Sequence, residues 1–303
     1  MASAKGLRLQ YRIALATFLP LVLFALSSVG LGAYALTVVP RNLLLERQTA
    51  LAKVAAAGVA ESLQGQLRLL EMTADDLGRA SGDLSRQRQM LSEREAILGT
   101  FAGGVRLLDS RGTVIGSTPA AWADLGASLA NSTFFVAVRT GDAAVFSTVL
   151  RDEPGGRPAI VMATPVRQHG KWVGVLAGKA LLDEGDWPGD LELLHTPRGG
   201  QAYLVDSAGA VIWHPDRARI GASIQADVTL LRLAVASTPQ CLLYQPAGSP
   251  QRWAVAFAPI PGIPWGLIIE EPWQSVWATI VPYQWIIAGL MLTGLALAVA
   301  MLL

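Results

Sequence analysis

The sequence predicts an α+β protein. A long N-terminal helix leads into two tandem modules, each an antiparallel sheet of about five strands with a helix over it, and two membrane helices flank the whole. Three observations carry this expectation. The stretch LLDSRGTVI at residues 107–115 returns 97 positions later as LVDSAGAVI at residues 204–212. Both ends of the chain are uncharged apolar runs. Near Val105, apolar residues at helical spacing give way to short alternating runs bounded by Gly, Pro, Asp and Ser, the pattern of strands and hairpins.

Further echoes keep the order of the first. GASL at residues 126–129 answers GASI at 221–224, and Pro165 then Gly174 answers Pro259 then Gly266, with offsets that shrink from 97 to 92. Solenoid repeats run about 20–50 residues, so a period near 95 means one small domain used twice.

Residues 13–39 hold no charge over 27 positions, and a helix of about 20 residues already crosses a bilayer core. Pro20 lies inside this run, while Lys5, Arg8 and Arg12 precede it and predict a cytoplasmic N-terminus. The run is much longer than the h-region of a cleaved signal peptide. After Glu271 no charge remains, and the apolar tail is entered through Trp277, Tyr283 and Trp285, an aromatic belt before a second membrane helix. The expected layout is a cytoplasmic N-terminus at 1–12, membrane helix 13–39, exterior helical stalk 40–100, first module 101–182, linker 183–199, second module 200–275 and membrane helix 280–303.

In the stalk, Leu44, Leu51, Val54, Leu63, Leu67, Leu70 and Leu77 recur at three-, four- and seven-residue spacings among charged residues. This apolar stripe is expected to cover a sheet and to serve higher up as the seam of a homodimer. Gly78, Ser81 and Gly82 end the helix, and residues 84–98 read as a shorter one. Asp109-Ser110-Arg111-Gly112 and Asp206-Ser207-Ala208-Gly209 each sit between apolar runs as hairpin turns. Further strands are expected at 144–150, 159–167 and 171–181 in the first copy and at 241–245, 252–259 and 265–270 in the second, with helical pieces at 132–139 and 229–236. Gly103-Gly104 and residues 183–200 read as flexible module boundaries.

The segment between the apolar runs carries all 23 acidic and 21 of the 24 basic residues, a net charge of about −2, which gives no electrostatic footprint for nucleic acid. The one cysteine, Cys241, excludes an intrachain disulfide, so core packing must hold the modules. His169, His195 and His214 have no metal-ligand spacing. Asp206, Ser207 and His214 include the residue types of a hydrolytic triad, but without a nucleophile elbow around Ser207 they read as a structural turn. No phosphate loop, cofactor or catalytic residue is expected.

Asp206-Ser207-x-Gly209-x-Val211-Ile212-Trp213-His214-Pro215-Asp216, followed by Gly221, resembles the membrane-proximal half of the double Cache domain, a PAS-like extracytoplasmic sensor of bacterial transmembrane receptors. The first copy resembles its membrane-distal half through the Asp109 hairpin, Phe134-Phe135 ahead of Thr140-Gly141, Pro165-Val166 before a turn, and Val173-Gly174-Val175-Leu176. The resemblance spans roughly residues 40–275. It implies two PAS-like modules, a small-molecule ligand in the distal one, a two-pass plasma-membrane protein that is not itself an enzyme, and an output module beyond Leu303 such as a histidine kinase, cyclic-dinucleotide enzyme or chemotaxis module. A membrane-anchored scaffold for a partner protein is the competing expectation.

Amino-acid-binding members of that family carry an Arg followed closely by Trp or Tyr near the distal helix, and an Asp near the end of the last distal strand. Here Arg139 is followed by Thr140-Gly141, and Lys179 stands nearest the Asp position. A neutral or anionic ligand is therefore expected. Strand alternation puts Val173, Val175, Ala177, Lys179 and Leu181 on one face, where the lysine either snorkels at the strand end or serves as an anion point. Trp122, Phe135, Phe146 and Met162 are expected to wall the pocket or the core, with Ser147 and Thr164 as neutral hydrogen-bonding groups.

Overall fold

The computed structural model describes residues 3–119, 125–151, 157–182, 199–224, 229–230, 232, 237–246, 249–278, 285–286, 289 and 292–293; within the first helix, side chains are described at Ser27 and from Asn42 on. Two compact units result, one of Met1–Arg47 with Pro272–Leu303, the other of Gln48–Glu271. In the first, the described residues of 285–293 are helical. Among the described residues no helix is long and apolar enough to cross a membrane.

Helix α1 spans Ser3–Arg79. Within Gln48–Glu271 its buried stripe is Ala52, Ala56, Val59, Ala60, Leu63, Leu70, Ala74 and Leu77. Leu63, Leu70 and Leu77 of the expected stripe are buried, whereas Leu51 and Val54, on the part expected to serve as a dimer seam, are 47% and 73% exposed, and alanines take the inner face there. Small side chains let a helix axis approach a sheet closely, and nothing in a hydrophobicity pattern distinguishes an inner Ala from an outer one. Gly78 closes the approach at the other end, since a Cβ there would stand 2.0 Å from the Arg167 carbonyl oxygen. The expected shorter helix is split into α2, Leu84–Glu93, and α3, Glu95–Leu98, by the non-helical Arg94. Asp83 caps α2 by accepting the Arg86 N–H.

The first sheet is built from β1 (Val105–Asp109), β2 (Val114–Thr118), β3 (Val145–Phe146), β4 (Leu150–Arg151), β5 (Pro158–Gln168) and β6 (Lys171–Leu181), in the order β2-β1-β6-β5-β3 with β4 also on β5. The second sheet holds β7 (Gln201–Asp206), β8 (Val211–Trp213), β9 (Gln240–Tyr244), β10 (Trp253–Pro259) and β11 (Trp265–Pro272), in the order β8-β7-β11-β10-β9. Every pairing is antiparallel, and both sheets place the hairpin at one edge and the last strand in the middle. Helix α4, Thr133–Gly141, lies on the first sheet through Phe134, Phe135 and Val138, and ends at Asp142 in the left-handed region. Residues 229, 230 and 232 are helical in the second module, and the rest of the expected helix at 229–236 falls outside the described residues.

The repeat is reproduced bond for bond. Asp109 Oδ1 accepts the N–H of Arg111 and Thr113, and Asp206 Oδ1 those of Ala208 and Ala210, at 2.8–2.9 Å. Gly112 and Gly209 follow at φ 83° and 78°, a conformation that glycine adopts without steric cost. The GAS stretches lie beside their hairpins through the paired bridges Thr113–Ser128 and Ala210–Ser223. One echo is displaced: Gly174 stands opposite Asp109, whereas Gly266 stands opposite Val205, one rung along from Asp206, so these two glycines are not equivalent positions.

One face of each sheet joins the α1 stripe in a shared core that includes Leu107, Ile160, Met162 and Leu176 from the first and Leu204, Ala256, Leu267 and Ile269 from the second. The opposite faces form separate clusters.

Candidate ligand site on the first sheet

Antiparallel register fixes which side chains share a face. Arg106 on β1 is opposite Ala177 on β6, and Ala177 is opposite Ala163 on β5. One rung on, Lys179 is opposite Val161. Val161, Ala163, Val175 and Ala177 all pack with Phe134, Phe135 and Val138 of α4, so Arg106 and Lys179 belong to the α4 side of the sheet. The floor is made of small and branched apolar residues. At one end, Trp172 and Phe135 meet as a tilted ring pair 6.1 Å apart, and the Arg139 guanidinium stands 5.7 Å from the Phe135 ring centre. The two cations Arg106 and Lys179 occupy the other end. Among the described residues, no strand side chain on this face is acidic; Asp109 turns its carboxylate to its own hairpin.

Lys179 is only 7% exposed, which leaves little of its side chain for bulk water. Gly103 makes room for its stem: a Cβ there would meet Lys179 Cγ at 2.6 Å. Gly103 N–H donates to the Lys179 carbonyl and Lys179 N–H to that of Gly104, at 2.8 and 2.9 Å. The diglycine, read from composition as a flexible boundary, is a pinned, buried continuation of β1 with Gly104 at φ 77°.

The expected site residues divide between two faces. Phe135 and Lys179 share the α4 face. Phe146, Met162 and Thr164 do not join them: Phe146 is paired with Met162, both pack into the core shared with α1, and Thr164, two residues beyond Met162, shares its face. Ser147 is buried at the joint, where its hydroxyl accepts the Val161 N–H at 2.9 Å and donates to the Thr148 carbonyl at 2.7 Å. Trp122 lies outside the described residues. Arg106, between Val105 and Leu107 in an alternating strand, was not among the expected site residues. A separate cleft between α2, the start of α3 and β2 is lined by Arg88, Ser92, Glu95, Gly116, Ser117, Thr118 and Leu125.

In the second module, Asp206 and His214 are committed to structure. Asp206 is 1% exposed, and its Oδ2 takes the Val149 N–H at 2.8 Å. His214 Nδ1 accepts the Asp216 N–H at 2.9 Å, and the ring lies 5.4 Å from that of Tyr203. Burial, then the nearby Arg219 charge, lowers its pKa from the usual histidine value. Among the described residues no group of His, Cys, Asp and Glu suits a metal ion.

Comparison with known proteins now bears on this geometry. The Cache domain family matches residues 41–280. The chain belongs to that family. Solved structures share the Cache fold at low identity. The ligand-binding domain of the Pseudomonas aeruginosa amino acid chemoreceptor PctC, in complex with GABA, is 22% identical, with 73% of this chain and 96% of that one covered and a TM-score of 0.59. That of the Pseudomonas fluorescens chemoreceptor CtaA, in complex with L-leucine, gives 21%, 78%, 98% and 0.62. That of the Pseudomonas aeruginosa chemoreceptor PctB, in complex with L-Arg, gives 20%, 78%, 95% and 0.58. No curated protein matches the sequence.

Proposed function

We propose that residues 40–275 are the extracytoplasmic ligand-sensing region of a two-pass plasma-membrane receptor, with residues 13–39 and 280–303 as its membrane helices. The first module receives a small neutral or anionic molecule, and the resulting movement passes to the second membrane helix. The face that carries this reading is the alanine-rich floor under α4 with Lys179 buried in it. Support also comes from the ligand-bound chemoreceptor domains that share the fold. A ligand shifts the receptor by its differential affinity for two arrangements and by no more than that. The exposed Leu51 and Val54 favour a homodimer seam along α1. No catalytic role is assigned to this region.

Two measurements test the reading. Protease added to intact spheroplasts is expected to cut within residues 40–275; cleavage confined to the termini refutes the topology. A thermal-shift screen of the full chain in detergent against small metabolites is expected to find stabilising molecules, because a ligand that binds only the native state raises apparent stability by mass action.

A further inference from the structure

We infer that the second module carries an acid-opened latch at His214: proton uptake by the ring breaks the turn that follows β8 and loosens Ile220 from the core shared with α1. The inference goes beyond the sensing role proposed above and does not depend on what the first module binds. His214 is 4% exposed and follows directly on Trp213, the last residue of β8. Its Nδ1 accepts the Asp216 N–H at 2.9 Å, across Pro215, which has no N–H of its own. An Nδ1 that accepts holds no proton, so the neutral ring carries its proton on Nε2. An imidazolium donates from both nitrogens. Protonated Nδ1 would then face the Asp216 N–H donor to donor, and among the described residues no group accepts from Nε2.

The groups around the ring do not offset this. Tyr203 of β7 lies against it, ring centres 5.4 Å apart, and its hydroxyl donates to Glu270 of β11, whose carboxylate also takes the Gln201 amide. Within the turn, Asp216 favours a charged ring and Arg219 opposes it, and the Arg219 Nε lies 3.7 Å from the Asp216 carboxylate. Burial and Arg219 prevail, so the shut turn takes up a proton less readily than an open one. Beyond His214 the chain is tied down in short steps. Asp216 Oδ1 accepts the Ala218 N–H at 3.1 Å, Ile220 N–H donates to the Arg217 carbonyl at 3.1 Å, and Gly221 N–H to that of Val211 at 2.7 Å. Ile220, held between these ties, packs against the core that contains the α1 stripe. The His214–Asp216 bond is the first tie, and its loss frees the start of the segment that carries Ile220. In the first copy Ser117 stands 97 positions before His214, so the repeated hairpin itself does not require an ionisable ring there.

Hydrogen exchange of the full chain in detergent, read by mass spectrometry at about pH 7 and about pH 5 and corrected for the chemical exchange rate, tests the latch. Protection of residues 214–222 is expected to fall about tenfold at the lower pH, because an open turn with an ordinary histidine pKa of about 6.5 takes up its proton before the shut one does. Residues 105–118, the matching stretch without a histidine, are expected to change little. His214→Asn offers the Asp216 N–H a neutral acceptor two residues back and is expected to keep its protection at both pH values. Equal loss in both stretches is general acid unfolding and overturns the latch. So does protection that is unchanged in the wild type, or lost to the same extent in His214→Asn. Should His214→Asn already lack protection at about pH 7, histidine NMR of the wild type decides, with the His214 signal assigned by its absence from the variant: a titration midpoint at or above about 6.5 overturns the proposal, and one below it supports the latch.

Discussion

Asp109 and Asp206 hold equivalent hairpins with unequal loads. Each accepts two amides of its own turn, but Asp206 is buried and takes the Val149 amide as well. Hydrogen bonds to a charged group contribute about 1.5–3 kcal/mol each, with incomplete additivity. Asp206→Ala is therefore expected to destabilise the fold by about 3 kcal/mol or more, and Asp109→Ala by clearly less; equal losses in chemical denaturation would falsify the assignment of the extra load to Val149. His214 makes a second residue-scale prediction. Its folded pKa lies below the ordinary histidine value of about 6.5, so the unfolded chain gains the proton first as pH falls. Stability from this residue is present above about pH 6.5 and declines as pH falls through that value toward the lower folded pKa. His214→Asn is expected to flatten the pH profile of the melting temperature below 6.5, and an unchanged slope would contradict the burial argument. Cys241 behaves in the opposite sense: burial pushes its thiol from 9.0 up to about 12, so it is expected to react with maleimide at neutral pH far more slowly than the unfolded chain does.

Between the elements, the connection from β3 to β4 fastens the first module to the second. The Trp265 indole donates to the Ser147 carbonyl at 3.2 Å, its ring meets Phe146 edge-on at 5.4 Å, and Val149 N–H reaches Asp206. The same few residues are bonded to Val161 on the floor strand of the candidate site through Ser147. Trp265→Phe keeps a ring for Phe146 and deletes one hydrogen bond, so a loss of about 1 kcal/mol is expected, together with faster hydrogen exchange of the Ser147 and Val149 amides. Exchange unchanged at both amides would remove the fastening role. None of this was legible in the sequence, where residues 144–150 read as one strand: between β3 and β4 the Ser147 carbonyl and Val149 N–H turn to partners in another module, and sequence patterns report only local periodicity. The hairpins were legible because their chemistry is local, an Asp and a Gly at fixed offsets. The faces of the site were half legible. Alternation put Lys179 on one face with Val175 and Ala177, but Phe146, Met162 and Thr164 were grouped with it by residue type, and only the register of β5 against β6 sends them to the other side.

At the scale of the molecule, one helix serves as the back of two sheets. Gln64 of α1 donates to the Pro261 carbonyl of the second module at 3.5 Å, Gln48 hydrogen-bonds Glu271, and Gly78 abuts Arg167 of the first, so the stripe from Ala52 to Leu77 joins both inner faces in one core. The duplication in the sequence suggested two tandem modules; that they share one core is invisible there because two similar copies look independent whatever backs them. A consequence follows for stability. Elements that bury their apolar faces against a common helix lose that burial together, so residues 48–271 are expected to unfold as one cooperative block despite the repeat. Leu70 is fully buried in the stripe, and Leu70→Ala is expected to cost about 2–5 kcal/mol through lost burial and the cavity left behind. Measured by hydrogen exchange resolved along the chain, that loss should reach β5 and β6 of the first sheet and β10 and β11 of the second to the same extent. Two separate melting transitions in the wild type, or a loss of protection confined to one sheet in the variant, would show instead that each copy carries a core of its own and that α1 merely passes over both.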